Sequence, residues 1–252
     1  MTQTNVADAH TAKPELAGKR VIISGGTTGI GRAIAVLLAS EGAKIFICGR
    51  DAQHLADGLE RIREVGEGDG VALDLAKDDG VKRFFDAGEK FLGGIDIAVI
   101  NAAVPAEGLS TMTAEEVSYA IATDFTAYLM SAHAAQERMV AGDIVLIGSM
   151  AAHVLGPSST VYAGIKAGIA GFSEALRREL GPKGIKVALV EPGKTGADFQ
   201  SPDISPAEQA EMINQEKMLR AEDIAVGVHF LLTQPSRTVV QSLVMVPRVQ
   251  DE

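Results

Sequence analysis

The sequence predicts an α/β fold, a doubly wound parallel sheet in a single domain, on three observations. Its 252 residues fit one large α/β domain, and 46% of them are hydrophobic, enough to fill a core. Short apolar, β-branched runs alternate with longer amphipathic segments, the pattern of a sheet with helices on both faces. Most of these runs are continuously apolar, as strands buried on both faces require.

Taken in order, strands are expected at Val21–Ile23, Ile45–Cys48, Val71–Leu73, Ile95–Ile100, Ile144–Ile147, Ile185–Val190 and Val239–Val246. Ile30, Ile34, Leu37 and Leu38 form an apolar stripe at helical spacing after the first strand. Thr113 and Glu116 have capping-box spacing and open a helix expected to run to about Val140. Residues 1–18 are polar and Ala/Thr-rich, without the basic-then-apolar pattern of a secretory signal. They read as a flexible tail ahead of a domain spanning 19–252. Residues 197–219, rich in Pro, Ser, Glu, Gln and Met, break the rhythm after the sixth strand. Ligands of a doubly wound sheet bind outside the carboxyl ends of its strands. This insertion is therefore a candidate substrate loop, with a plain surface excursion as the alternative.

Composition narrows the function classes. With a net charge of −10, no Lys/Arg run and no tryptophan, nothing supports nucleic-acid binding. No apolar stretch approaches the roughly 18–20 residues that span a bilayer, so no membrane role is expected. One cysteine, Cys48, allows neither an intramolecular disulfide nor a Cys-rich metal site, and a cytoplasmic setting is the default. No two of the five histidines have metal-ligand spacing, so no metal is assigned. His153 reads as a solvated loop residue.

Ser24-Gly25-Gly26-Thr27-Thr28-Gly29-Ile30-Gly31 follows the first strand and opens a helix. Glycines there let the backbone approach a pyrophosphate, whose charge meets the helix N-terminus. Gly25, Thr27, Thr28, Gly29, Ile30 and Gly31 are accordingly candidate cofactor contacts. An NAD-binding protein carries an acid for the ribose 2′-hydroxyl about 20 residues further on. Here that place holds Gly49 and Arg50, which suits the 2′-phosphate of NADP(H). The alternative is that Arg50 pairs with a surface carboxylate while Asp51 caps the next helix. Asp74-Leu75 ends the third strand, where a carboxylate can accept from the adenine amino group or cap a helix. Asn101-Ala102 ends the fourth, where small residues let the backbone approach the ribose.

Ser149, Tyr162 and Lys166 carry the chemistry. Ser149 follows the fifth strand, thirteen residues upstream of Tyr162. Tyr162 and Lys166 are four residues apart and project from one helix face. A phenol titrates near pH ~10, too high for proton transfer at neutral pH, and a neighbouring ammonium lowers it. Lys166 supplies that charge and can hold the ribose hydroxyls, while the Ser149 hydroxyl polarises a substrate carbonyl.

With these motifs the sequence resembles the short-chain dehydrogenase/reductase family, in its single-domain branch, over about Lys19 to Val246. The resemblance rests on the Ser24–Gly31 turn, Asp74, Asn101-Ala102-Ala103, Ser149/Tyr162/Lys166 and Pro192-Gly193. It implies a Rossmann-like sheet of about seven parallel strands, hydride transfer between NADP(H) and a small carbonyl or alcohol substrate, and Tyr162 as acid/base. It also implies a homo-oligomer, tetramer or dimer. Pro192 and Gly193 match the family's turn beside the nicotinamide carboxamide. An NAD-dependent polyol or sugar dehydrogenase, or a cofactor-binding regulator on the same fold, are the alternatives.

Four departures stand out. The family's paired asparagines appear as Ile100-Asn101. Its usual threonine falls at Ala197, leaving Thr195 as substitute. The ending Val244–Arg248 lacks Asp-Gly-Gly and looks like the branch of NADP-dependent hydroxy acid and carbonyl reductases. Asp124 stands where many relatives have an asparagine that holds a water linking the lysine to solvent. Val117, Ile121, Asp124, Tyr128 and Ala132 share one helix side, and an acid in an apolar stripe is costly unless paired or protonated. Asp124 is expected to take over the water-binding role, with a structural carboxylate satisfied by backbone amides as the alternative.

Overall fold

The computed structural model describes residues 13–196 and 204–249. Its central sheet contains β1 (Arg20–Ser24), β2 (Lys44–Gly49), β3 (Glu67–Ala72), β4 (Ile97–Ile100), β5 (Gly142–Ile147) and β6 (Ile185–Pro192). Two short strands, β7 (Thr195–Gly196) and β8 (Leu219–Arg220), pair with each other, and β9 (Ser242–Met245) returns to the main sheet. The seven strands are parallel in the order β3-β2-β1-β4-β5-β6-β9.

The α-helices of the described chain are α1 (Gly29–Ser40), α2 (Ala52–Arg63), α3 (Gly80–Leu92), α4 (Ala114–Ile121), α5 (Ala127–Arg138), α6 (Thr160–Leu180), α7 (Pro206–Asn214) and α8 (Ala221–Leu232). Side chains alternate across each strand, so both faces of the sheet are apolar. Val21 and Ile23 pack with Ile34 of α1, Leu59 of α2 and Val228 of α8. Ile22, between them, packs on the other face with Phe84 of α3, Ala132 of α5 and Ile169 of α6.

Several expectations shift. Leu16 is buried and the Gly18 amide donates to the Gly42 carbonyl, so the packed body starts before Lys19. Residues 1–12 of the expected tail lie outside the described residues. Strand β3 begins at Glu67, ahead of the expected Val71, because it is an edge strand built by pairing with β2 rather than by local propensity. Strands β4 and β9 are shorter than expected, starting at Ile97 and Ser242. Of the candidate substrate loop, 197–203 lie outside the described residues. The remainder holds β8 and α7, which a second capping box, Ser205/Glu208, opens.

The capping box at Thr113 and Glu116 is present, but the helix it opens is not continuous to Val140. Residues Ala122–Thr126 form a π-helical turn between α4 and α5, and α5 ends at Arg138. The wider turn takes up one extra residue and rotates the helix before it. Ala120 consequently faces the core, while Ile121, expected in the buried stripe, is 42% exposed. Asp124, Tyr128 and Ala132 keep their buried places.

Candidate active site

Strands β1 and β4 are neighbours at the point where the strand order reverses, which leaves a crevice at their carboxyl ends. A cleft of about 560 Å³ opens there. It is lined by Gly25, Thr27, Thr28, Ile30, Arg50, Asp74, Leu75, Asn101, Ala102, Tyr162 and Lys166, all singled out from sequence. Gly25 has φ +65°, and a Cβ on it would lie 2.7 Å from the Ala102 Cα, so only glycine lets the two loops meet. Asn101 ties the same loops together: its Nδ2 donates to the carbonyls of Ser24 and Gly25. Gly29 and Gly31 lie in the first turn of α1. Thr28 is the N-cap of that helix but makes no side-chain cap, and the first turn holds no acid. The orphan N–H groups of α1 and its positive end therefore remain for an anion.

At one end of the cleft the charges are exposed. A Cβ on Gly49 would sit 2.5 Å from Thr27 Cγ2 and 2.6 Å from its Oγ1, so the space an acidic side chain would use is filled. Asp51 caps α2 by accepting from the His54 amide. Among the described residues Arg50 pairs with no surface carboxylate; its Nη1 donates to the Tyr119 hydroxyl at 2.8 Å. That hydroxyl donates in turn to Asp74 Oδ2 at 3.0 Å, and Asp74 Oδ1 accepts from the Ala76 amide. A cation held by a neutral phenol keeps its charge available.

At the other end the charges are buried. Lys166 is 2% exposed, and its Nζ donates to the Ile147 carbonyl at 3.1 Å. The Nζ also lies 5.2 Å from the Tyr128 ring centre and 5.5 Å from that of Tyr162. Burial alone would lower the lysine pKa, but Tyr128, Tyr162 and Asp124 outweigh it and hold the group up at about 12. The two tyrosines differ. Tyr128 is buried, its hydroxyl donates to the same Ile147 carbonyl, and burial pushes its pKa up to about 12. Tyr162 alone of the pair lines the open cleft.

Asp124 lies in the π-helical turn with no exposed surface. Its Oδ1 accepts from the Val104 amide at 2.8 Å, and its Oδ2 has no partner among the described residues. Burial raises its pKa to about 6, against the pull of Lys166, the Val104 amide and Arg50. Its neighbour Thr123 lines the cleft. One amide satisfies one oxygen, so the carboxyl is only half accounted for structurally.

Ser149 stands beside cleft-lining Gly148, at the N-terminus of the one-turn 3₁₀ helix Met150–Ala152. Its Oγ accepts from the Ala151 amide at 3.1 Å, which leaves the hydroxyl proton to donate elsewhere. Pro192, Gly193 and Thr195 do not line the cleft. The Gly193 amide donates to the Met245 carbonyl, and the buried Thr195 hydroxyl donates to the Gly193 carbonyl.

Two side chains at the site have no counterpart in the sequence reading. Tyr119 joins Arg50 to Asp74 from a helix distant in sequence, and nothing local signals it. Glu191, which precedes Pro192, is 3% exposed and pairs with His153 at 2.7 Å. A carboxylate directly after the apolar run Val187–Val190 is the trace it leaves in the sequence. His153 is therefore half-exposed but anchored rather than freely solvated. Among the described residues no cluster of three or more His, Cys, Asp or Glu side chains could hold a metal, and no helix is long and apolar enough to cross a membrane.

Comparison with known proteins identifies the family. Residues 19–207 match the model of the short chain dehydrogenase family. An uncharacterised oxidoreductase of Staphylococcus aureus is 28% identical over 240 residues, covering 92% of this chain and 98% of the relative. Carbonyl reductase family member 4 of Xenopus laevis is 28% identical over 217 residues, 84% of this chain and 90% of its own. A dehydrogenase/reductase from Sinorhizobium meliloti superposes with a TM-score of 0.83 at 29% identity, over 92% of this chain and 95% of that one. A short chain dehydrogenase from Burkholderia cenocepacia, solved in complex with NADP, gives 0.82 at 28% identity, over 92% and 98%.

Proposed function

The chain belongs to the short-chain dehydrogenase/reductase family of oxidoreductases, and on that premise we propose that it uses NADP(H) to interconvert a carbonyl and an alcohol. The observation that carries the reading is the buried Lys166 ammonium, held 5.5 Å from the ring of the cleft-lining Tyr162. The residues present fit a dinucleotide. The uncapped start of α1 suits the pyrophosphate, and the Gly25–Ala102 approach leaves no side chain in its way. Arg50 suits the 2′-phosphate, while the Thr27–Gly49 contact leaves no room for the acid that a 2′-hydroxyl would want. Asp74 and Leu75 flank the adenosine end. The name of the carbonyl reductase relative and the NADP complex agree with this reading.

When bound, the nicotinamide supplies or accepts a hydride. The protein moves the proton. In the reductive direction the Tyr162 hydroxyl donates its proton to the carbonyl oxygen, and in oxidation the phenolate takes it back. Lys166 stabilises the phenolate by its charge. The Ser149 hydroxyl, with its oxygen already occupied by the Ala151 amide, donates to the substrate oxygen and orients it. Asp124 offers its unpartnered Oδ2 to a water on the path that reprotonates Lys166, the place an asparagine holds in many relatives. Pro192 and Gly193 are assigned to the carboxamide side by the family resemblance, and the Thr195 hydroxyl ties their turn by donating to the Gly193 carbonyl.

A panel of ketones, aldehydes and secondary alcohols, followed by nicotinamide absorbance with each cofactor, tests the proposal. Turnover with NADPH exceeding that with NADH is expected. No turnover on any member with either cofactor sinks it.

A further inference from the structure

Glu191, the last residue but one of β6, has its side chain 4% exposed, and a buried carboxylate is costly without partners. It has two, and neither belongs to the proposed proton path. Its Oε1 lies 2.7 Å from His153 Nε2, and since an ionised carboxylate only accepts, the ring proton is assigned to that nitrogen. Its Oε2 accepts from the Ser242 hydroxyl at 2.9 Å, at the start of β9. Three segments that are far apart in sequence meet on one carboxylate.

The contact bears on Ser149 through a short, rigid path. Ser149 caps the N-terminal end of the turn Met150–Ala152, and His153 is the C-cap of the same turn. The amides of Ala151, Ala152, His153 and Val154 are all bonded back to Ser149 or Met150. Strand β6 holds the turn from both sides. The Gly148 amide donates to the Val190 carbonyl at 2.7 Å, and the Glu191 stem lies against Gly148, where a Cβ would be 3.3 Å from its Cγ. The next residue of β6 reaches across to His153.

We propose that the Glu191–His153 bridge, locked by Ser242, is a positioning device for the Ser149 hydroxyl. Glu191 and His153 are positioning residues that touch no reacting atom. The inference rests on the reading of Ser149 as the group that orients the substrate oxygen. Removing the imidazole frees the C-terminal end of the turn and leaves a buried carboxylate with only the Ser242 hydroxyl. The cost falls on kcat, because the serine wanders while the cofactor cleft, lined by other residues, is untouched. A glutamine at position 153 still offers an N–H to Glu191 and restores the tie.

The test compares full-length wild type, His153→Ala and His153→Gln; the side chain is half-exposed, so both variants are expected to fold. Amide hydrogen exchange is measured over 151–154, turnover as NADPH-dependent reduction of diacetyl, and NADPH affinity by fluorescence titration. For His153→Ala, exchange of these amides should accelerate by about ten-fold and kcat fall by about ten-fold, the scale of one charge-assisted hydrogen bond. NADPH affinity should stay within about two-fold, and His153→Gln should recover most of both losses. Wild-type exchange in His153→Ala overturns the bridge. Accelerated exchange with wild-type kcat overturns its role in positioning. A Gln variant as impaired as Ala, or an equal loss of NADPH affinity, also contradicts it. If wild type reduces neither diacetyl nor any carbonyl of the panel, the parent reading fails instead, and the exchange rates alone decide the bridge.

Discussion

At the amino ends of the strands cations meet carboxylates, whereas at the carboxyl ends they meet neutral groups. Arg20, opening β1, pairs with Asp96 at 2.7 Å; Lys44 of β2 pairs with Glu67 of β3 at 3.0 Å; Lys186 of β6 pairs with Asp143 of β5 at 2.9 Å. At the opposite end Arg50 is held by a phenol, Lys166 by a backbone carbonyl, and Asp124 by a single amide. The amino-end pairs are partly solvated and contribute at most about 1 kcal/mol each. They hold strands in place. Buried charges that make no direct ion pair do not help folding. Under the proposed function, an anionic cofactor in this cleft supplies the counter-charge that Arg50 lacks. Glu191 and His153 are the exception, a carboxylate at the carboxyl end with two side-chain partners, and accordingly they read as scaffold for the turn that carries Ser149.

Breaking the buried charge should have the largest effect. Lys166→Ala removes the stabiliser of the phenolate, and kcat should fall by roughly 10²–10⁴, with weaker NADPH binding as well. Asp124 comes next. Asp124→Leu should lose most turnover because no acceptor remains, while Asp124→Asn should keep a substantial part. A structural role alone would instead lower the melting temperature of the Leu variant and leave its turnover near normal.

The same residue gives a pH signature with a defined sign. Burial holds its folded pKa at about 6, above the ordinary 3.8, so the folded state prefers the protonated carboxyl. Its contribution to stability is whole below about pH 4 and is lost as pH rises through 6, a swing of roughly 3 kcal/mol. Asp124→Asn should abolish that swing, seen as a melting-temperature difference from wild type that grows in favour of the variant across this window.

Arg50→Ala should weaken NADPH by about ten-fold or more and leave NADH nearly unchanged, since only the former carries the 2′-phosphate. Equal losses for both cofactors would refute its assignment. The smallest effect belongs to the amino end. Lys186→Ala should cost no more than about 1 kcal/mol in stability and leave turnover alone. A larger drop in turnover there would dissolve the contrast between the two ends.

Much of this was legible in the residues because it is local. Continuous apolar runs located most of the strands, the glycine turn located one wall of the cleft, and the i, i+4 spacing placed Tyr162 and Lys166 on one face. The Thr113/Glu116 capping box and the Asp51 cap are likewise short-range. What stayed hidden depends on tertiary contact. The π-helical turn at Ala122–Thr126 has no sequence signal of its own, and it buries Asp124 while turning Ile121 outward. Tyr119 finds Arg50 and Asp74 across gaps of 69 and 45 residues, and Glu191 finds His153 and Ser242 across 38 and 51. No window of neighbouring residues contains those pairs.

The central claim is that one end of the cleft holds the cofactor and the other moves the proton, through Tyr162. It is tested most directly by measuring NADPH affinity and turnover on a single preparation of Tyr162→Phe. Removing the hydroxyl leaves the ring beside Lys166 and takes away only the acidic proton. The account predicts NADPH binding close to that of wild type with turnover abolished. Turnover near the wild-type rate on a confirmed substrate would contradict it.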